Sequence, residues 1–231
     1  MTNDPAPELR RGPGSPTAVA ARFSEIGVAQ LADAAGDIIS VLDLPLRART
    51  AATHICGPAF PVQTDDDMLP CLQALAAAPA GSVLYIVNIA ERSEALVGDI
   101  FTVAAQTQGL CGIVVDGAAR DLADIAQMDF PVFSTSVTYV SARTTDTPCD
   151  TVPQTVRSGG LVVEPFDWVF GDPDGFCIVP AARVDTVLMG AAVLRNREVK
   201  LKERLREGHR LDALTGLDKF LAGTGELGFV P

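Results

Sequence analysis

Two short stretches in the middle of the chain place carboxylates and an arginine where strands are predicted to give way to helices. The first is Gly98-Asp99-Ile100-Phe101, and the second runs from Asp116 to Asp121 and ends in Arg120-Asp121. Free backbone N–H groups at a helix start can receive a carboxylate, helped by the helix dipole. Asp121 offers a hard oxygen ligand, and one protein carboxylate completed by waters and substrate oxygens is a normal arrangement for Mg²⁺. Arg120 offers a planar fork for a carboxylate or enolate oxygen.

These residues allow two interpretations. In the functional one, Asp121 binds the metal, Arg120 binds an anion, and Asp99 orders a metal-bound water or moves a proton. In the other, Asp99 is only an acid that stabilises a helix start, and Arg120-Asp121 is a solvated pair. If the strands that precede the two stretches are neighbours, both stretches open at one edge of a sheet, where ligands of open α/β folds collect.

The few lysine, histidine and cysteine residues give little support to catalysis through a Schiff base, a catalytic triad or a zinc site. The three lysines all lie in the charged C-terminal region, whereas a Schiff-base lysine needs an apolar pocket. The only histidines are His54, which we expect in the core or in a pocket wall, and His209, which we expect to be solvated. A serine-nucleophile elbow, closely spaced zinc ligands, a Walker A loop and a Gly-x-Gly-x-x-Gly loop are all absent. We expect the five cysteines to be reduced core residues. What remains is carboxylate and arginine chemistry, which suits Mg²⁺ or Mn²⁺.

Composition limits the class of protein. The net charge of -11 opposes binding to a nucleic-acid backbone and favours a basic protein partner or local recruitment of cations. No apolar run reaches the roughly 18 residues that span a bilayer, so we expect no membrane association. Residues 1–16 are rich in Pro, Gly and charge and lack a secretory apolar stretch, so they are predicted to be a disordered leader. The sequence therefore predicts a soluble, cytoplasmic protein with one domain over residues 17–231.

Alternating patterns predict a layered α/β domain. Helices are expected over 18–35, 69–80 and 96–108, the last ending at Gly109, with another starting near residue 119 and mostly helix after residue 182. Strands are expected over 82–87, 112–116 and from residue 131, with strand and loop over 45–61. Residues 144–158 are predicted to be a surface loop, and 160–180 to be rich in strands and turns. Strands alternating with helices, followed by a strand cluster, favour a single sandwich.

Several motifs together resemble the RraA-like family, which includes the 4-hydroxy-4-methyl-2-oxoglutarate/4-carboxy-4-hydroxy-2-oxoadipate aldolases. The resemblance covers roughly residues 20 to 221. It rests on the Gly98-Asp99 and Arg120-Asp121 pairs with the glycines between them, and on three longer matches. These are Val28 to Ala35, Gly57-Pro58-Ala59-Phe60, and the run from Gly171 to Pro180.

The resemblance implies a compact layered α/β/β sandwich related to swivelling phosphohistidine domains, and homotrimers or homohexamers with sites between subunits. It implies that Asp121 is the metal ligand, that Arg120 binds substrate, that the Gly98 to Phe101 backbone cradles the carboxylate of pyruvate, and that Asp99 is the nearby acid. The implied activity is that of a class II pyruvate aldolase, acting on a small 4-hydroxy-2-oxo acid with Mg²⁺ or Mn²⁺. The same enolate follows loss of CO₂ from oxaloacetate, so decarboxylation is an expected side activity.

Some positions depart from the family pattern, and other functions stay open. Pro165-Phe166-Asp167 stands where relatives often have Pro-Gly-Asp, and residues 144–154 match no known pattern. Glu198 and Glu203 are candidates for an acid supplied by a neighbouring subunit, although a solvated charged helix is the simpler interpretation. One alternative is a regulatory protein that binds and inhibits a ribonuclease. Asp116 favours the aldolase side, because inhibitor-type members often lack it. A specialised lyase of a secondary pathway on the same metal site is a further alternative.

Overall fold

The protein is an α/β sandwich, seen in a computed structural model that describes residues 15–90, 94–145 and 148–228. The helices in these ranges are α1 (Pro16–Phe23), α2 (Val28–Ala35), α3 (Met68–Ala77), α4 (Asp99–Thr107), α5 (Leu122–Ile125), α6 (Val184–Arg206), α7 (Leu211–Thr215) and α8 (Leu217–Leu221). The strands are β1 (Ser40–Val41), β2 (Arg47–Ala48), β3 (Ile55–Thr64), β4 (Val83–Asn88), β5 (Ala95–Val97), β6 (Gly112–Ala119), β7 (Val132–Val137), β8 (Val156–Ser158), β9 (Leu161–Val163), β10 (Trp168–Asp172) and β11 (Gly175–Val179).

Strand β3 joins two sheets. Its first half, Ile55 to Pro58, pairs antiparallel with β10, and its second half, Ala59 to Thr64, pairs parallel with β4. The strand order is β1-β11-β10-β3-β4-β6-β7-β2, with β5 as an extra parallel neighbour of β6. Strands β3, β4, β6 and β7 run parallel, so their carboxyl ends meet at one edge. Strands β8 and β9 form a separate hairpin.

Three apolar clusters hold the layers together. Leu84, Ile86, Ile113 and Val115 on one face of the parallel strands pack against Phe101 and its neighbours on α3 and α4. The opposite face, with Tyr85 and Val114, packs against β8, β9, β10 and β11. The third cluster covers the outer face of β10 and β11 with α1, α2 and α6. Strands β3, β4 and β6 are buried along almost their whole length, because successive side chains point to opposite faces and both faces are covered.

The predicted fold class is confirmed, but several element boundaries differ. The helix predicted over 18–35 is two helices, interrupted at residues 24–27, and Gly27 adopts extended backbone before α2. The helix predicted from residue 96 begins at Asp99, since Ala95–Val97 pairs with β6 as a strand. Strand β6 continues through Ala119, where a helix start was predicted.

Predictions for the leader, the cysteines, His54 and membrane association can also be compared with the structure. Of the predicted leader, residues 1–14 lie outside the described residues, Ser15 caps α1, and Pro16 begins it. All five cysteines are free, and Cys56, Cys71 and Cys177 are buried. His54 is exposed just before β3 and not in the core, but it lines a cavity of about 480 Å³ at the amino-terminal edge of the parallel strands, as predicted for a pocket wall. No helix in the described ranges is long and apolar enough to cross a bilayer. The likeness to phosphohistidine domains stays a prediction.

Candidate functional site

The two chemistry-bearing stretches leave adjacent strands side by side. Val97 at the end of β5 is the register partner of Ala119 at the end of β6, and the Arg120 amide donates to the Val97 carbonyl at 2.9 Å. Gly98 and Arg120-Asp121 therefore meet at the carboxyl edge of the parallel strands. The expectation that both stretches open on one edge is confirmed by this pairing.

Asp121 is held in a specific position. Its backbone is left-handed, with φ of 57°, a conformation that aspartate tolerates better than most residues, and it starts α5. Its Oδ2 atom forms an ion pair with Arg120 Nε at 3.2 Å and accepts a hydrogen bond from the amide of Asp99 at 3.4 Å. The carboxylate therefore lies at the positive end of α4, where the helix dipole favours an anion. Oδ1 of Asp121 accepts no hydrogen bond from the residues that the structure describes.

Gly98 is required by close packing at this point. Its backbone is extended, with φ of -141°, so most residues would adopt it without strain. A Cβ atom added to Gly98 would collide with Oδ2 of Asp121 and come within 3.3 Å of the Arg120 side chain. Glycine at this position lets the two stretches touch, and any larger residue would displace the carboxylate.

The start of α4 is the segment for which the sequence predicts a carboxylate cradle. The first N–H groups of a helix lack intrahelical partners, which here applies to Gly98 through Phe101. The amide of Ile100 donates to Oδ1 of Asp99 at 2.7 Å, and the amide of Asp99 faces Asp121. Thr102 closes the first turn by donating from its amide and its hydroxyl to the Gly98 carbonyl. Carboxylate oxygens of the chain itself thus take two of these four amides.

A small cavity opens in front of these groups. It has a volume of about 210 Å³, and the residues that line it include Arg120, Asp121 and the whole Gly98 to Phe101 segment. Its other walls are apolar side chains of α3, β5 and α4: Met68, Leu72, Leu75, Leu96 and Ala104. The Arg120 and Asp121 side chains are about one-third exposed, so a ligand in the cavity can reach both. The cavity is compatible with a small organic acid that has a polar head and a short carbon chain.

The donor set at this edge fits a hard divalent cation held by one protein carboxylate. Among the described residues, no three His, Cys, Asp or Glu side chains are grouped so that they could hold a metal ion. Within the described residues, this excludes a metal site made only of protein ligands, such as the sites that bind structural zinc. It is compatible with the arrangement in which waters and substrate oxygens complete the coordination of Mg²⁺ around a single protein carboxylate, for which Asp121 is the candidate.

Asp116 faces away from the cavity. Its Oδ2 accepts from the Ser158 hydroxyl at 2.8 Å, and Ser158 contacts the Tyr85 hydroxyl at 2.9 Å on the opposite face of the sheet. Burial raises the pKa of the Tyr85 phenol, so Tyr85 stays protonated and donates in this chain. The interaction of Asp116 with Ser158 anchors β8 to β6, so a direct role of Asp116 in the site finds no support in the geometry.

Thr135 on β7 supports the site, although no sequence motif pointed to it. The register between β6 and β7 shifts between Val115 and Ala118, just before the site. At this irregularity the Thr135 hydroxyl accepts from the Gly117 amide at 2.9 Å and donates to the Gly117 carbonyl at 3.0 Å. One side chain therefore replaces missing ladder bonds and fixes the strand end that carries Arg120. Only the sheet pairing could have identified it.

The neighbouring-subunit candidate Glu198 is engaged within its own chain. Its Oε2 accepts from Gln30 Nε2 at 3.0 Å and lies 3.5 Å from Lys202 Nζ. Glu203 is exposed on the same helix, α6. Neither lies in the cavity of its own chain, so a role in the site would require another subunit.

Comparison with known proteins identifies the family to which this chain is similar. The family model RraA-like (Aldolase/RraA) matches residues 28–178. A protein of Halalkalibacterium halodurans named "Putative 4-hydroxy-4-methyl-2-oxoglutarate aldolase" is 33% identical over 139 residues, which are 60% of this chain and 65% of that protein. The matched part thus spans slightly less than two thirds of that relative.

Two solved structures share the fold. An uncharacterized protein from Pseudomonas syringae pv. tomato superposes with a TM-score of 0.73 at 25% identity, covering 85% of this chain and 96% of that one. RraAS2 of Streptomyces coelicolor, described as an unusual member of the RNase ES inhibitor RraA protein family, superposes with a TM-score of 0.68 at 20% identity. That match covers 85% of this chain and all of the other.

Proposed function

Because this chain belongs to the RraA-like family, we propose that it is a divalent-metal-dependent lyase that cleaves a 4-hydroxy-2-oxo acid and releases pyruvate. The observation that carries the proposal is the placement of Asp121 against Arg120 and the amide of Asp99, in contact with a side-chain-free Gly98. The aldolase name of the Halalkalibacterium halodurans relative supports the reaction class.

Each site residue has a proposed role. Asp121 holds Mg²⁺ or Mn²⁺, which when bound supplies the positive charge that stabilises a developing enolate. Arg120 binds a carboxylate or enolate oxygen of the substrate through its planar fork, and backbone amides between Gly98 and Phe101 orient the carboxylate. Asp99 takes up or returns a proton through a water molecule. The apolar cavity wall limits access of bulk water.

Loss of CO₂ from oxaloacetate is the proposed side activity. Cleavage of a 4-hydroxy-2-oxo acid and decarboxylation of oxaloacetate both leave the enolate of pyruvate. A site that stabilises this enolate lowers the barrier to both reactions.

The experiment is a screen of 2-oxo acids that follows pyruvate release with Mg²⁺, with Mn²⁺ and with excess EDTA. We expect release from at least one 4-hydroxy-2-oxo acid and from oxaloacetate, abolished by EDTA and restored by added metal. Activity that EDTA leaves unchanged would exclude the metal-dependent mechanism, and no turnover of any 2-oxo acid would exclude the lyase.

Assembly and the regulatory alternative also stay proposals. Exposed apolar side chains line the cavity, among them Ile100, which is 80% exposed, and Leu72, which is 45% exposed. Such a patch supports a homotrimer or homohexamer that covers the site. Binding of a ribonuclease is checked by pull-down with the purified enzyme. The cytoplasmic location remains an expectation.

A further inference from the structure

The cavity in front of Arg120 and Asp121 has its polar groups at one end. These groups are the two side chains and the backbone at the start of α4, to which the proposed function assigns the pyruvate half of the substrate. Most of the remaining wall is apolar: Met68, Leu72 and Leu75 of α3, Leu96 of β5, and Phe101 and Ala104 of α4. The half of the substrate that is released as an aldehyde or ketone therefore lies against this apolar wall.

The apolar wall is continuous with the hydrophobic core. Helix α3 forms one side of it because residues at positions i, i+4 and i+7 share a face, here Met68, Leu72 and Leu75. Leu75 is buried together with Leu96 and Phe101 in the apolar cluster between α3, α4 and the parallel strands. A carboxylate placed on this floor would lose its water shell, and a desolvated charge without a partner is strongly unfavourable.

A second carboxylate on the substrate would lack a basic partner in this cavity. Among the described residues of its lining, Arg120 is the only basic one, and it lies at the polar end, whereas Asp99 and Asp121 are acidic. The hydroxyl of Ser141, which also lines the cavity, donates to the next carbonyl of its own chain at 3.2 Å. An unpaired charge is a means by which a site rejects the wrong ligand, so this wall favours an uncharged substituent.

The start of α3 does not replace the missing cation. The amide of Met68 donates to the Arg143 carbonyl at 2.9 Å, and the amide of Leu69 donates to Oδ1 of Asp67 at 2.9 Å. The next residue, Pro70, has no N–H group. The helix end nearest to the wall thus keeps its amides for the chain itself.

We infer that the substrate is a 4-hydroxy-2-oxo acid with a single carboxylate and a short apolar substituent at C4. The inference rests on the proposed lyase activity and names its substrate class. The C3–C4 bond breaks, the C4 hydroxyl loses its proton and becomes the carbonyl of the released fragment, and the bonding electron pair forms the pyruvate enolate, which takes up one proton at C3. The released fragment is an apolar aldehyde or ketone, and the cavity volume of about 210 Å³ keeps it short.

Oxaloacetate, the proposed side substrate, is an informative exception. Its second carboxylate lies at the same position but leaves as uncharged CO₂. The apolar wall therefore opposes its binding and favours the step in which the charge is lost. We expect a KM for oxaloacetate above that for the alkyl-substituted acid, with a measurable kcat.

The test compares two substrates of equal length that both release pyruvate, measured with Mg²⁺. In 4-hydroxy-2-oxopentanoate C5 is a methyl group, and in 4-hydroxy-2-oxoglutarate it is a carboxylate. We expect kcat/KM to be higher for the methyl compound by about tenfold or more, which is the scale on which an apolar pocket discriminates. In calorimetry with Mg²⁺, 2-oxopentanoate should bind more tightly than 2-oxoglutarate, a matched pair that needs no turnover.

A variant of the wall separates its effect from the intrinsic reactivity of the two substrates. Leu72→Arg adds a cation at a partly exposed position, where the long side chain can keep its charge in water. Its matched control is Ala77→Arg, at an exposed position of α3 that does not line the cavity. Leu72→Arg should shift the ratio of the two kcat/KM values toward the dicarboxylate by about tenfold or more, and Ala77→Arg should keep the natural ratio. A lower KM of Leu72→Arg for oxaloacetate would show that this variant is folded.

The outcomes distinguish the substrate class from the lyase itself. A natural chain that prefers 4-hydroxy-2-oxoglutarate, or a ratio that Leu72→Arg leaves unchanged, would overturn the inference while the lyase stands. If neither substrate nor oxaloacetate released pyruvate, the proposed lyase would fail. Tighter binding of 2-oxoglutarate than of 2-oxopentanoate would then overturn the apolar preference as well.

Discussion

Replacing Gly98 by alanine isolates the contact on which the site depends. The new Cβ atom would collide with Oδ2 of Asp121, so the carboxylate must move by about 1 Å to reach an ordinary contact of 3.4 Å or more. A displacement of about 1 Å in a catalytic group can lower the rate by roughly 100-fold, equivalent to about 2.7 kcal/mol of transition-state stabilisation. We expect kcat/KM for pyruvate release to fall by about that factor in Gly98→Ala.

Stability should barely change in the same variant. A partly exposed ion pair such as that of Arg120 with Asp121 contributes about 0–1 kcal/mol. The extended backbone of residue 98 accepts alanine, which stabilises by about 0.4–1 kcal/mol through the unfolded chain. The two effects nearly cancel, so the free energy of unfolding should stay within about 1 kcal/mol of the natural value.

Gly109→Ala is the matched control at the other end of α4. Gly109 has φ of +78°, and an added Cβ would meet only the Ala80 side chain at 3.5 Å. The left-handed backbone should make this variant less stable by about 1–2 kcal/mol, with kcat and KM unchanged. Stability is measured by urea unfolding and activity by pyruvate release. If Gly98→Ala kept its natural kcat/KM, the close packing of residue 98 against Asp121 would not be what positions the carboxylate for activity.

Three further predictions follow from other contacts of the site and its supports. Arg120→Lys keeps the charge but loses the fork, so KM for the 2-oxo acid should rise by about tenfold in steady-state kinetics; an unchanged KM would remove Arg120 from substrate binding. Thr135→Val removes the hydrogen bonds to Gly117, so the free energy of unfolding should fall by about 1–2 kcal/mol and kcat/KM should drop. Thr135→Ser keeps the hydroxyl and should restore both quantities. If Thr135→Ser were as unstable and inactive as Thr135→Val, the contribution of Thr135 would come from packing of its methyl group instead. Burial raises the pKa of Asp67, but hydrogen bonds from Thr145 and backbone amides outweigh it and hold that pKa below the ordinary 3.8. Asp67 therefore stabilises the fold above that pH and loses this contribution as the pH falls below it. Asp67→Asn should be about 1–3 kcal/mol less stable at neutral pH. When its free energy of unfolding is measured as a function of pH, the loss of stability that Asp67 causes at acid pH should be missing. An unchanged pH profile would show that Asp67 does not make this contribution.

Local sequence signals predicted that the two stretches meet at one sheet edge better than they predicted the elements that support them. The Gly98-Asp99 and Arg120-Asp121 stretches were identified because residue types and glycine spacing carry their chemistry. Leu96 and Val97 were predicted as helix because their apolar spacing continues that of α4, yet pairing with β6 makes them a strand. Sheet pairing is decided by residues distant in the chain, which a local pattern does not contain.

Local sequence patterns also did not predict which face of the sheet each polar side chain points to. Asp116 stands five residues before Asp121, but it points to the opposite face and bonds Ser158. Thr135 and Asp67 act on residues that lie 18 and 78 positions away in sequence. Such contacts follow from topology, so spacing alone could not predict them.

The most direct test of the central claim is metal-dependent pyruvate release by Asp121→Ala beside Asp124→Ala. Asp124 is an exposed acid in the first turn of α5, so its removal changes the net charge equally without touching the cavity. After chelation and titration with Mg²⁺, we expect full recovery for Asp124→Ala and less than about 1% of natural activity for Asp121→Ala at any metal concentration, because the metal's protein ligand is lost. Recovery of Asp121→Ala to the natural rate would contradict the assignment of the metal to Asp121, and with it the proposed site.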